Sequence, residues 1–543
     1  MIFVGIAGIA SVSDNFFIIH KLVLDQADPR LVLLLVLKQM DAPKRQDVCD
    51  AIKPAVREGL EIVRKIESQN LPIDSHDFYP NLSYLEPGFP RFSFARRTDK
   101  RTDVPRNYTT IFKDQPAWYD EYRIKEGSIV VSKDIPSWQE FLTFVQGDDY
   151  LRKHLGPTSM FRDFAEKYEE TGDKTFSIRD FVDRLFILGL VRKLVDRYVN
   201  VSKTTEFDDQ IFLPLYLEWE KGLFERTLPF DILVPILRVK FDFDELQISN
   251  SSAIERMSDA IQLARGHKHS SDMSAHQDVI GAATHALVLR NWQLDDYETR
   301  ERAVEALNYI GTLMKPIADA EKFFASLRGI TGVLTGFCQI IIKPKGWADH
   351  WNADLPCIHI VSKRGYTEQL EKISWSDPAP GVNADECARV GELHNVLIQT
   401  SNNRLTLAAK RLNAASLRSD EEDSIVDVTI ALEALLGDES KGEITHKLAT
   451  RLAALARLEP FKDHTPAEVF GFCKKIYSFR SAVAHGSHET SKSRIVNIRE
   501  EKVIPTVDLG LDMLGFALQV LSKNQQYLDP HKLDLYLVSH DGA

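Results

Sequence analysis

Arg480 and His485 are the two residues whose types, spacing and surroundings suit them to chemistry together. An arginine stays charged at any ordinary pH and presents its donors in a fixed fork, so it suits an anion with several oxygens. A histidine exchanges a proton near neutral pH, which suits acid–base work. Both lie in TPAEVFGFCKKIYSFRSAVAHGSH, residues 465–488. This stretch predicts a helix over 466–486: Thr465 can cap it, Pro466 fits the first position, and Glu468 completes a capping box. Gly486 is the natural stop. Val469, Phe472, Cys473, Ile476, Phe479 and Val483 recur at helical spacing and form one apolar face. At about 100° per residue, Arg480 falls inside that face and not opposite it. A guanidinium there needs an anion or a dense set of acceptors. Positions five apart diverge by about 140°, so a two-fold contact between two such helices is what would bring the pairs together.

The spacing alone is weak. It recurs at Arg389 and His394 (RVGELH), and among 16 histidines roughly one chance hit is expected. Context separates the two, because Arg389 lies in a polar stretch and Arg480 in an apolar face. Two other stretches attract notice. RFSFARRTDKRTDVPR carries Arg96, Arg97 and Arg101 with Phe92 and Phe94 interleaved, the basic and aromatic mixture that single-stranded nucleic acid uses. Its plain reading is a solvated loop balanced by Asp99 and Asp103. GHKHSSDMSAHQD places His267, His269, Asp272 and His276 close together. A metal site needs three or four converging ligands, and Ser274 with Gln277 explains His276 as the first turn of a helix. A solvated loop is the reading here, with no metal and no cofactor expected.

The net charge of −12 excludes a general affinity for nucleic acid, so any such contact must be local. Five scattered cysteines (Cys49, Cys338, Cys357, Cys387, Cys473) have no paired spacing, which argues for a reducing compartment. Met1 opens an apolar run with no basic segment before it, read as a buried strand and not a signal peptide. Other apolar runs are too short to span a bilayer. A cytoplasmic protein with no membrane contact is expected.

A chain of 543 residues divides into roughly two to four domains. The expected fold is mainly α and multidomain. Residues 1–230 read as a mixed α/β N-terminal region, with a helical pattern through Val48, Ile52, Val56, Leu60, Val63 and Ile66, and another from Ser177 to Val199. Residues 231–400 read as mostly helical behind a leading strand at 232–248. There, Ser252 and Glu255 cap a helix stopped by Gly266, and a long helical stretch runs from Phe323 to Ile341. One short strand, CIHIV, is expected further on. Residues 401–530 read as an antiparallel helical bundle. In it IVDVTIALEALLGD buries Ile425, Val428, Thr429, Leu432 and Leu436, with Glu433 at the edge, and EITHKLATRLAALARL buries Ile444, Leu448, Leu452 and Leu455.

IVDVTIALEALLGDES, EITHKLATRLAALA and FGFCKKIYSFRSAVAHG, in that order, resemble the Apea-like branch of the HEPN domain family over about residues 402–525. The resemblance implies a helical bundle, homodimerisation through the 466–486 helix, and metal-independent RNA cleavage by an arginine–histidine motif, here Arg480 and His485. It places Ser481 where many active members carry Asn, Asp or His. Glu433, on the facing helix, is the carboxylate expected to compensate Arg480. By the same analogy the preceding regions sense a trigger or restrain the bundle, in prokaryotic anti-phage defence. The rival reading is a HEPN dimer that only binds.

Overall fold

The computed structural model describes residues 42–94, 104–169, 177–269, 276–295, 300–308, 313–373, 377–438, 442–486, 493–499 and 502–539. The apolar run at Met1 lies outside them. The described residues are mostly helical, with one six-stranded antiparallel sheet and several two-stranded pairs. None of their helices is long and apolar enough to cross a membrane. They form two compact units that are not successive regions of the sequence. The first takes the residues up to Asp74, then Arg106–Glu225 and Gly346–Asp354; the second takes Ser75–Pro105, Arg226–Lys345 and Leu355 onwards.

The first unit is built on α1 (Gln46–Ser68), α2 (Pro136–Gln146), α3 (Ile178–Ser202) and α4 (Asp209–Phe224). The predicted stripe from Val48 to Ile66 is buried along α1. Gly59 lets α1 approach α3, since a Cβ there would stand 2.7 Å from Val195 Cγ2. Trp138 of α2 donates its indole N–H to the Ala55 carbonyl at 2.9 Å. The strap 346–354 belongs to this unit: the Ala348 N–H reaches the Glu218 carbonyl at 2.8 Å. Arg197 donates to the Ala353 carbonyl at 3.1 Å. Gly222 of α4 faces the strap so closely that a Cβ would lie 2.3 Å from the Ala348 oxygen. Among the described residues of this unit, the expected mixture of α and β shows as a two-residue parallel pair, Phe112–Lys113 with Val130–Val131. The hairpin Pro80–Tyr84/Pro90–Phe94 belongs to the second unit.

The second unit contains the sheet. Strands β1 (Leu228–Pro235), β2 (Glu245–Ser249), β3 (Ser252–Arg256), β4 (His285–Leu294), β5 (Phe337–Pro344) and β6 (His359–Gly365) follow the order β6-β5-β1-β4-β3-β2. Every pairing is antiparallel. The middle region therefore carries a whole sheet, where one leading strand and one short strand were expected. Two predicted helices are corrected by it. The Ser252/Glu255 pattern is strand β3, because Ala253 and Ile254 pair with Gln247 and Leu246 on one side and with Val288 and Leu287 on the other. The helix there is α5, Asp259–His269, and Gly266 does not stop it. Instead Gly266 seats the Phe92 ring, which a Cβ would meet at 2.7 Å. The stretch from Phe323 to Ile341 is also broken: α6 (Met314–Thr331) ends at Gly332, whose φ of 67° is left-handed, and β5 takes over. Glycine accepts that conformation without strain.

α7 (Ala384–Gln399) precedes the span read as a bundle, and within that span lie α8 (Asn403–Leu417), α9 (Glu421–Leu436), α10 (Ile444–Leu458), α11 (Pro466–His485) and α12 (Thr506–Lys523), followed by α13 (Pro530–Ser539). Leu405 and Leu412, Ile425 and Leu432, Leu448 and Leu452, Val469 and Ile476, Leu514 and Leu518 share one core. Ile444, expected inside, is 38% exposed, because it opens α10 directly after the left-handed Glu443. α12 meets α6 at Gly515, where a Cβ would stand 2.5 Å from the Gly329 oxygen and 2.9 Å from its Cα.

This contact fixes the sign of two substitutions. Gly515→Ala forces two backbones apart and should lower stability by about 1–3 kcal/mol. Gly471→Ala, inside α11 with nothing within 4 Å of its Cβ, should raise it by up to about 1 kcal/mol. Urea titration at constant slope measures both, and equal effects would contradict the packing described.

Candidate functional site

Helix α11 is positioned by the devices read from its sequence. The Glu468 N–H donates to Thr465 Oγ1 at 3.3 Å, and the Thr465 N–H donates to Glu468 Oε2 at 2.7 Å. Pro466 occupies the first turn. At the other end Gly486 adopts φ 58°, and its N–H returns to the Val483 carbonyl at 3.2 Å. Between them Val469, Phe472, Cys473, Ile476 and Phe479 are buried, and Val483 packs partly against the core.

Arg480 lies at the angular centre of this face, between the directions of Val469 and Cys473. It is half-buried, because the face runs out of the core near the C-terminal end: Val469, Cys473 and Ile476 are fully buried, Arg480 and Val483 are intermediate, and Ala484 is exposed. Among the described residues Arg480 makes no hydrogen bond or ion pair. The expected partnership with Glu433 is corrected here. Glu433 instead accepts from the Tyr477 hydroxyl at 3.3 Å, and that hydroxyl also lies 3.4 Å from the Thr429 carbonyl oxygen. Burial, then the Glu433 charge, pushes the Tyr477 phenol far above its usual range, and the Arg480 charge works the other way. Tyr477 is thus a neutral hydroxyl near both charges.

Tyr477 was absent from the sequence reading. Its signal was available, since it stands three residues before Arg480 within the buried arc. His485 is exposed in the last turn, where the helix dipole favours a cation. Ser481 is exposed as well. Within one chain Arg480 and His485 therefore sit in different environments on diverging directions, as the spacing requires. Burial raises the Cys473 thiol to about 12, so this cysteine is no nucleophile. What the helix offers is a half-buried cation and, a turn further on, an imidazole open to solvent.

The other candidates separate. Arg96, Arg97 and Arg101 lie outside the described residues. His267 Nδ1 lies 3.2 Å from the Phe78 carbonyl oxygen. His276 caps the short helix Gln277–Gly281, its Nδ1 accepting from the Asp278 N–H at 3.4 Å. The Asp272 position and the His269 side chain are outside the described residues. The repeated spacing on α7 takes the opposite form from α11: Arg389 is exposed and His394 is buried against Phe323 at 5.8 Å between ring centres. A scan of protein-family models and searches of curated proteins and solved structures found nothing that matches the chain.

His394 supplies a pH test of this contrast. Burial, then the Lys322 charge, lowers its pKa to about 4. The unfolded chain therefore binds more protons than the folded one between about pH 4 and 6.5. The stability from a neutral His394 is complete above about pH 6.5 and is lost as pH falls, by about 3 kcal/mol at pH 4. His394→Leu should flatten that part of the profile of urea midpoint against pH. A profile that His394→Leu leaves unchanged would refute the burial assignment.

Proposed function

We propose that the chain is a metal-independent endoribonuclease of the HEPN type, acting as a homodimer through α11. Its leading context is prokaryotic anti-phage defence, with the preceding regions sensing a trigger or restraining the bundle. The observation that carries this reading is Arg480: a permanent cation centred on an apolar helix face, with its one expected carboxylate engaged by Tyr477. Such a placement is costly unless an anion completes it.

The chemistry is that of RNA cutting itself. The 2′-hydroxyl attacks the adjacent phosphorus and gives up its proton. The bond from phosphorus to the 5′-oxygen breaks, and that oxygen takes a proton. The products are a 2′,3′-cyclic phosphate and a 5′-hydroxyl end. His485 serves as proton acceptor or donor, a role imidazole side chains commonly fill. Arg480 holds the phosphate and offsets the charge that grows on its oxygens in the transition state. Because the two residues diverge on one helix, the working pair takes Arg480 and His485 from facing copies of α11. Tyr477 and Glu433 act behind the arginine by fixing the surface from which it projects.

The rival, a dimer that binds without cutting, draws on the exposure of His485 and on the satisfied Tyr477–Glu433 contact. Total RNA from cells making the intact chain, His485→Ala or Arg480→Ala separates the two. Cleavage with cyclic phosphate ends, persisting in chelator and reduced about 10²-fold or more in either variant, is expected once the trigger is present. Cleavage that survives His485→Ala, or intact RNA under every trigger tried, overturns the ribonuclease reading.

A further inference from the structure

A second cation of this unit lacks a carboxylate of its own. Arg328, on α6, is only 7% exposed, and burial pulls its pKa down to about 10. Its N–H groups go to neutral acceptors, the Asn413 side-chain oxygen on α8 and the Thr335 carbonyl at 2.7 Å. Its guanidinium lies over the Phe324 ring at 5.6 Å. Glu321 is the carboxylate whose charge reaches it, but that group is held by Lys363 Nζ at 2.7 Å. Asn413 is itself oriented, its amide donating to the Glu321 carbonyl, so its oxygen is turned to the guanidinium. Hydrogen bonding is thus provided and charge compensation is not. A buried ion left that way is a standing cost.

Arg328 lines a cavity of about 350 Å³ between α6, α8 and the ends of β5 and β6. That volume falls in the range of small-molecule sites. Its walls are apolar: Phe324, Phe337, Leu397, Ala409, Ala414 and Leu417. Gly365 is bare because a Cβ there would stand 2.5 Å from the Phe337 ring. Around these walls stand five cations, Lys322, Arg328, Lys363, Arg364 and Lys410, and one carboxylate, Glu321. Arg364 leans on Glu371 at 3.5 Å, whereas Lys410 makes no ion pair among the described residues. Lys322 also lies 3.9 Å from Asp319, so the cations in excess are Arg328 and Lys410, and low-dielectric walls concentrate their field on whatever enters.

We propose that this cavity binds a small organic anion, its phosphate or carboxylate held at Arg328, Arg364 and Lys410 and its apolar ring or short chain against Phe324, Phe337 and Leu397. The chemistry requires both parts, because the walls reward burial of apolar surface and the cations reward charge. The site is distinct from the α11 motif, and its occupation does not depend on the ribonuclease reading.

Calorimetric titration of the full chain with adenosine monophosphate, octanoate and inorganic phosphate tests this. One saturable site is expected for the nucleotide or for octanoate, and which of them binds tells an aromatic body from an aliphatic one. Lys410→Glu, at an exposed position that leaves the fold intact, should weaken that binding about tenfold or more. Arg328→Met, if it folds by its melting profile, should abolish it. Inorganic phosphate binding as tightly as either organic anion overturns the proposal in favour of a plain anion site. So does the failure of all three to bind, or an affinity unchanged by Lys410→Glu.

Discussion

A guanidinium cannot discard its proton, so each one taken into the apolar interior must be answered by acceptors or by an opposite charge. The second unit is organised around several such answers. Arg265 is completely buried and donates to Gln262, Gln339 and the carbonyls of Ile280 and Ala283, with the Phe92 ring against it. That single side chain joins α5, the loop before β4, and strand β5. Arg451 on α10 is answered by charge: Asp438 and Asp534 lie at 2.7 Å, and the Leu436 carbonyl at 2.6 Å. Through Asp534 it pins α13 to the bundle. Arg328 has acceptors without an anion, and Arg480 has neither within the described residues. The series runs from structural tie to open cation, with Arg480, which is only half-buried, at its open end.

How much of this was legible in the sequence follows from the range of each interaction. α11 could be read almost residue by residue, because Thr465, Glu468, Pro466 and Gly486 act within a single turn of their own positions. The bundle was readable for a similar reason, its apolar periodicity being long and its connections short. The sheet was not. The capping pattern at Ser252 is a local preference, and pairing with two neighbouring strands overrides it. The break at Gly332 was hidden because α6 and β5 are both apolar, so the stripe continues across a change of period. Glu433 was rightly placed at an edge, but its partner was misjudged. Which of two neighbours on another helix reaches it is a matter of side-chain direction, and sequence spacing does not carry that.

The two arginine–histidine pairs make the same point about rotation. On α7 and α11 the residues are five apart, so the angle between them is fixed. What differs is the phase of the pair against the core. α7 turns the histidine inward, where burial keeps it neutral, and sends the arginine out. α11 holds the arginine half-buried on the apolar face and leaves the histidine exposed. A spacing motif is therefore half a statement, completed only by the apolar stripe beside it.

The strap of residues 346–354 has a bearing on how the chain is made. It completes the first unit, yet a ribosome reaches it only after β1 to β5 of the second unit have been synthesised. Until then the groove at Glu218 and Gly222 lacks Trp347, Ala348 and Ala353, all of them buried when the strap is in place. The earlier-made unit must wait, open along one side, for a segment that arrives late. In the order of synthesis the strap thus falls between β5 and the bundle that carries Arg480.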